Sequence, residues 1–116
     1  MDGLVITAQI YPGKLEAWRR FWQDLLGNRR QEFQRACRRH GISSHQVCLM
    51  KSSQGYTAVL LLEVNQPHQT LSELITSTHP FDRWFKRQFE DLHTLSFSSS
   101  AKQNIESVAE LQINNP

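Results

Sequence analysis

Hydrophobic residues change their period along this chain, and each change marks an element. Over residues 3–11, GLVITAQIY, Leu4, Ile6, Ala8 and Ile10 alternate with Val5, Thr7, Gln9 and Tyr11. That alternation predicts a β-strand, and Pro12-Gly13 ends it. From residue 14 to 40 the period lengthens. Leu15, Trp18, Trp22, Leu25, Leu26, Phe33, Ala36 and Cys37 fall on one stripe at about 100° per residue. The stripe keeps its phase across Gly27-Asn28, which predicts one long helix over 14–40, with any bend at Gly27 and with Gly41 closing it. Alternation returns over 42–51 and 56–64; the polar residues 52–55 between them predict a hairpin. A helical region then opens near Pro67 and restarts at Pro80, with His79 or Thr78 as the cap. Phe81, Trp84, Phe85, Phe89 and Leu92 line its apolar face, and residues 94–100, TLSFSSS, read as a fourth strand.

Two right-handed strand–helix–strand units in this order predict an α+β fold, a ferredoxin-like βαββαβ plait. Its four-stranded antiparallel sheet would carry helices on one face. Residues 1–100 form this single domain, and 101–116 form a C-terminal tail or arm with a sparse Ile105/Val108/Leu111 spacing. The other sheet face should then be polar, yet it is only half so. Val59 and Leu61 share it with Thr57 and Glu63; Cys48 and Met50 lie opposite Val47 and Leu49; the first strand adds Val5 and Tyr11. A mixed face of this kind predicts burial against a second copy of the chain, a homodimer through the sheet.

The order of elements, the doubly apolar sheet and the aromatic-rich second helix, HPFDRWFKRQFEDLH, together resemble the dimeric α/β-barrel superfamily. That group includes antibiotic-biosynthesis monooxygenase-like proteins, stress-responsive barrel proteins and haem-degrading enzymes. The resemblance covers roughly residues 3–98. It implies face-to-face sheets in a dimer and a pocket between sheet and helices. It also implies binding, with oxidation or isomerisation as the associated chemistry, of a small apolar or aromatic molecule. The asparagine–tryptophan–histidine set of the haem degraders is not matched, because Gln9 stands in the first strand and His79 precedes Trp84. No cofactor is therefore expected.

Composition narrows the classes. At 116 residues, 39% hydrophobic and 21% charged, the chain fits one globular domain. No apolar run approaches the roughly 20 residues of a membrane-spanning helix. The N-terminal segment reads as a strand rather than a signal peptide. Two cysteines are too few for a disulfide scaffold, so reduced thiols and a cytoplasmic location are the expectation. The net charge of +2 hides an asymmetry: residues 13–40 hold eight basic and three acidic residues, a net of +5, and the remainder nets −3. The basic segment is either a solvated helix face or a polyanion site. RNA-binding plaits present exposed sheet aromatics behind a glycine–aromatic motif, which GYTAVLLLEV lacks, so nucleic acid is not expected. A non-catalytic interaction module using the basic helix or the C-terminal arm is the alternative to small-molecule binding.

Candidate site residues each carry two readings. Arg29, on the apolar stripe, either anchors an anionic ligand at a pocket mouth or lays its stem on the core with its head in water or on an acid. His79 is a general base or a helix cap. His45 and Glu63, if they share the mixed sheet face with Thr7, Gln9 and Tyr11, form a polar cluster or a hydrogen-bonded dimer interface. Trp22, Trp84 and Phe85, with Tyr11, line an aromatic ligand pocket or are simply core. Cys37, His40, His45 and Cys48 have zinc-like spacing, but His45 and Cys48 are three apart on a strand and point to opposite faces, so no metal is expected.

Overall fold

The computed structural model of the chain describes residues 2–94. In chain order its elements are β1 (Asp2–Gln9), α1 (Leu15–Leu26), α2 (Arg30–Arg39), β2 (Ile42–Ser52), β3 (Gly55–Val64), α3 (Pro67–Thr76) and α4 (Pro80–Leu92). The strands form one antiparallel sheet in the order β1-β3-β2. The result is an α+β fold compatible with a ferredoxin-like arrangement. At the outer edge of β1, Ile10 bridges His93 in antiparallel fashion and the Thr94 N–H donates to the Gln9 carbonyl at 2.9 Å. Beyond Thr94 the expected fourth strand, like the tail over 101–116, lies outside the described residues.

One face of the sheet holds the core. Leu4, Ile6 and Ala8 of β1 and Ala58, Leu60, Leu62 and Val64 of β3 form one buried cluster with Trp18, Phe21, Trp22 and Leu25 of α1 and Phe81, Phe89 and Leu92 of α4. The alternation of β1 thus does what its period requires. Pro67 and Pro80 occupy first-turn positions of α3 and α4. Ser77 and His79 are extended between those helices, His79 because the residue before a proline is pushed out of the helical region. Gly41, at φ +70°, ends α2 in the left-handed conformation that a Cβ disfavours.

The expected single helix over 14–40 is two helices. Gly27 ends α1: its N–H bonds back to the Asp24 carbonyl, and a Cβ there would lie 2.9 Å from the Gln23 carbonyl oxygen. Arg29 then caps α2 from outside, accepting the Phe33 N–H at its own carbonyl. The preserved apolar phase did not discriminate, because both helices turn their stripes toward the same sheet and core, α1 burying most of its stripe and α2 half-burying Phe33 and Cys37 around a buried Ala36. A continuous stripe is required whether or not the backbone breaks.

On the opposite face of the sheet, β-pairing aligns Val5 with Leu61, Thr7 and Cys48 with Val59, and Met50 with Thr57. Val5, Val59, Leu61 and Cys48 are half-buried, and Met50 is 53% exposed. Glu63, Thr7 and Gln9 are exposed on the same side. His45 is not with them. It pairs with Leu62 on the helix-facing side, so the proposed His45/Glu63 cluster does not exist. An irregularity between Ile42 and Ser44 brings Ile42 to that same inner side.

Candidate functional site

Two spaces meet along the seam between α2 and β2. The inner one is a void of about 50 Å³ under the helices, lined by Ile6, Trp22, Phe33, Ala36, Leu60 and Phe85 among others. The outer one is an open cleft of about 650 Å³ with Leu26, Arg30, Gln34, Arg38, Ser43 and Ser44 along it. Phe33, Cys37, Ile42 and His45 line both, so these four side chains are the partition. Their convergence follows from local structure. Phe33 and Cys37 are four apart on α2, and the strand irregularity sets Ile42 and His45 on one side of β2.

Size assigns the two spaces different roles. Ligand pockets run from roughly 300 to 1,000 Å³, and an apolar cavity of about 150 Å³ holds a benzene. The void holds a methyl or ethyl group at most without rearrangement, whereas the cleft falls within the ligand range. Rings pack tightly around the partition: Phe33 and His45 meet edge-to-face at 4.8 Å between centroids, and Phe33 stacks near-parallel with Phe85 at 6.1 Å. Trp22 lies 5.4 Å from the His45 ring. Trp22 Nε1 and His45 Nε2 are buried with no hydrogen-bond partner among the described residues. Burial holds the His45 pKa below that of a free imidazole, so the ring is neutral at neutral pH.

A buried ionic cluster forms the end wall of the void. His40 and Asp82 both line it. Asp82, 3% exposed on the first turn of α4, accepts from Arg39 at 2.8 Å, from His40 Nε2 at 2.7 Å and from the Ser77 hydroxyl at 2.6 Å. Burial raises the Asp82 pKa, but the hydrogen bonds from Ser77 and His40 and the charges of His40 and Arg39 outweigh it and hold the carboxyl below its usual range. The His40 carbonyl accepts from Thr70 at 2.7 Å, and His40 Nδ1 stands 3.7 Å from Glu73, too far for a hydrogen bond. The cluster ties α2 to α3 and α4. It offers no activated nucleophile: burial, with Asp82 nearby, pushes the Cys37 thiol up to about 11, leaving it protonated at neutral pH.

The residues singled out from the sequence scatter. Trp22, Phe85 and His45 come together around the void. Trp84 lies outside it, and Arg29 sits over its ring with the guanidinium carbon 4.1 Å from the centroid. Arg29 also pairs with Asp24 at 3.2 Å and Glu32 at 3.4 Å, so it clasps the break between α1 and α2. His79 caps α4, its Nδ1 accepting the Phe81 N–H at 3.2 Å. Tyr11 is 42% exposed beyond the end of β1. His45 and Cys48 lie on opposite faces of the sheet. Sequence reasoning missed Asp82, although a signal was present. At 100° from Phe81 on the helix wheel it falls beside Phe89 at about 80°, an acid at the edge of a buried stripe.

No helix among the described residues is long and apolar enough to cross a membrane. Comparison with known proteins returns no match: no family profile fits the chain, no curated protein aligns with it, and no solved structure matches it.

Proposed function

We propose that this protein binds a small apolar or aromatic molecule at the seam between α2 and β2, as a cytoplasmic homodimer of dimeric α/β-barrel type. The observation that carries the reading is the shared wall: a ligand-sized cleft backed by an apolar void, with Phe33, Cys37, Ile42 and His45 lining both. A ligand lying in the cleft covers Leu26, Phe33 and Ile42, and rotation of Phe33 or His45 lets a small group reach the void. Pairing through the sheet is supported by the half-buried Val5, Val59, Leu61 and Cys48 and the exposed Met50, a larger apolar surface than an outward strand face ordinarily presents. Two free thiols favour a reducing compartment. Oxidation or isomerisation of the ligand rests on the family resemblance, not on any activated group described above.

The test is an amide-resonance titration with a neutral aromatic probe, 2-naphthylacetamide. Saturable shifts at Phe33, Cys37 and His45 are expected, and absence of saturation at millimolar probe overturns the reading. Sedimentation should give twice 13.5 kDa at micromolar concentration; a monomer removes the pairing. The interaction-module alternative is favoured by one observation: α2 buries only Ala36, leaving a largely exposed basic helix. It predicts retention of RNA on a filter at low salt and none at high salt.

A further inference from the structure

Charge on the rim of the cleft says more about the occupant than its floor does. Arg30 and Arg38 both lie along it, eight residues apart on α2 and so separated by about 12 Å along the helix axis. Between them the cleft presents Phe33, Gln34 and Cys37. Other arginines nearby are engaged: Arg29 holds Asp24 and Glu32, and Arg39 holds Asp82. Neither the Arg30 nor the Arg38 guanidinium has an ion-pair or hydrogen-bond partner among the described residues. No acidic side chain among the described residues lines the cleft.

Resting on the binding reading above, we infer that the ligand is an organic acid: an aromatic or short aliphatic body lying on Phe33 and Ile42, with a carboxylate held by Arg30 or Arg38 at the rim. Three features agree. The two guanidinium groups are uncompensated among the described residues, and a planar fork of donors matches a carboxylate better than a neutral oxygen. The floor between them holds Phe33 and Ile42 beside the polar Gln34, and an inorganic anion would leave those two apolar side chains uncovered. The strand irregularity at residues 42–44 borders the cleft, and such irregularities recur where a strand is re-aimed at a site. A nucleic acid would use the arginines without the apolar floor, and Arg35, outside the cleft, would serve it equally well.

The experiment compares 2-naphthylacetate with 2-naphthylacetamide, which share the ring system and differ in charge. Affinities are read by amide-resonance titration of the full chain and of Arg30→Gln/Arg38→Gln and Arg35→Gln. The acid should bind about tenfold or more tightly than the amide, as a charge-assisted hydrogen bond allows. Arg30→Gln/Arg38→Gln should bring the acid down to the affinity of the amide while leaving the amide unchanged. Arg35→Gln should keep the preference. If the amide binds and the acid binds no better, the assignment of an organic acid fails and the cleft reading survives. If the acid is preferred but the double variant keeps the preference, or Arg35→Gln abolishes it, the attraction is a general field and the assignment also fails. If neither probe saturates, the cleft reading fails and takes this inference with it.

Discussion

Acid should destabilise this fold through one buried imidazole. His93 follows α4, 1% exposed, its ring stacked on Phe89 at 3.9 Å between centroids. Its Nδ1 lies 2.7 Å from the Phe89 carbonyl oxygen and must donate to it, which leaves Nε2 as a bare lone pair with no partner among the described residues. Protonation would place a charged N–H in the core without an acceptor. Burial therefore pushes the pKa down to about 4 from 6.5, against a smaller opposing effect of the bond to Phe89. The folded value is the lower one, so the unfolded chain binds the proton first. His93's contribution to stability is complete above pH 6.5 and is lost as pH falls through 4. The fall from 6.5 to about 4 corresponds to about 3 kcal/mol in full, and to about 2 kcal/mol at pH 5 relative to pH 7.5. Urea unfolding followed by tryptophan fluorescence reads this directly. With a slope of roughly 1–3 kcal/mol per molar urea, the midpoint should drop by about 1 M on moving from pH 7.5 to 5. His93→Asn keeps a donor for the Phe89 carbonyl and removes the titration; most of the drop should vanish, with a remainder from His45, whose pKa is also lowered by burial. An equal drop in His93→Asn and the wild type would refute the argument.

Two further substitutions probe the helix layer. Asp82→Ala leaves Arg39, His40 and Ser77 without their acceptor, and should cost about 3 kcal/mol in urea unfolding at pH 7, the lower end for breaking a buried pair because Arg39 is one-third exposed. The depressed carboxyl means this contribution is complete above about pH 3.8 and is lost as the pH falls below it, so the wild type and the variant should converge in strong acid. Gly27→Ala tests the break by its sign. In a continuous helix alanine would stabilise by about 1 kcal/mol, whereas a Cβ 2.9 Å from the Gln23 carbonyl oxygen should destabilise by about 1–2 kcal/mol. A raised melting temperature for Gly27→Ala would restore the single helix.

The strands were legible because period-two patterns end at residues whose backbone cannot continue them: Pro12-Gly13, the polar stretch at 52–55, and Gly41 at φ +70°. The cap role of His79 was one of its two readings, since Pro80 fixes where the helix can start. Three features were less accessible. Stripe phase is blind to a break when both halves pack on one core, so α1 and α2 read as one. His45 shares the parity of Val47 and Leu49, and that alternation already put it inward; grouping it with Glu63 ignored the pairing register, which only the folded sheet supplies. The void and cleft depend on how Phe33 meets His45 to within a fraction of a ring width, and no spacing in the sequence encodes that.

The break also explains where the charge excess of residues 13–40 ends up. Had the helix continued, Arg29 would have faced the apolar stripe, and Asp24 and Glu32 would have been free to pair with other arginines on the surface. Instead Arg29 occupies both acids at the junction and rests on Trp84. The remaining acid of the segment, Glu16, lies on the first turn of α1, far along the chain from α2. Arg39 reaches out of the segment to Asp82. Arg30, Arg35 and Arg38 are then left without acids among the described residues, and two of these three border the cleft above Phe33. A positive rim over a part-apolar floor is thus a consequence of how the chain satisfies its other arginines. Arg29→Gln, by releasing Asp24 and Glu32 toward Arg30, should weaken the acid preference of the cleft without touching its lining.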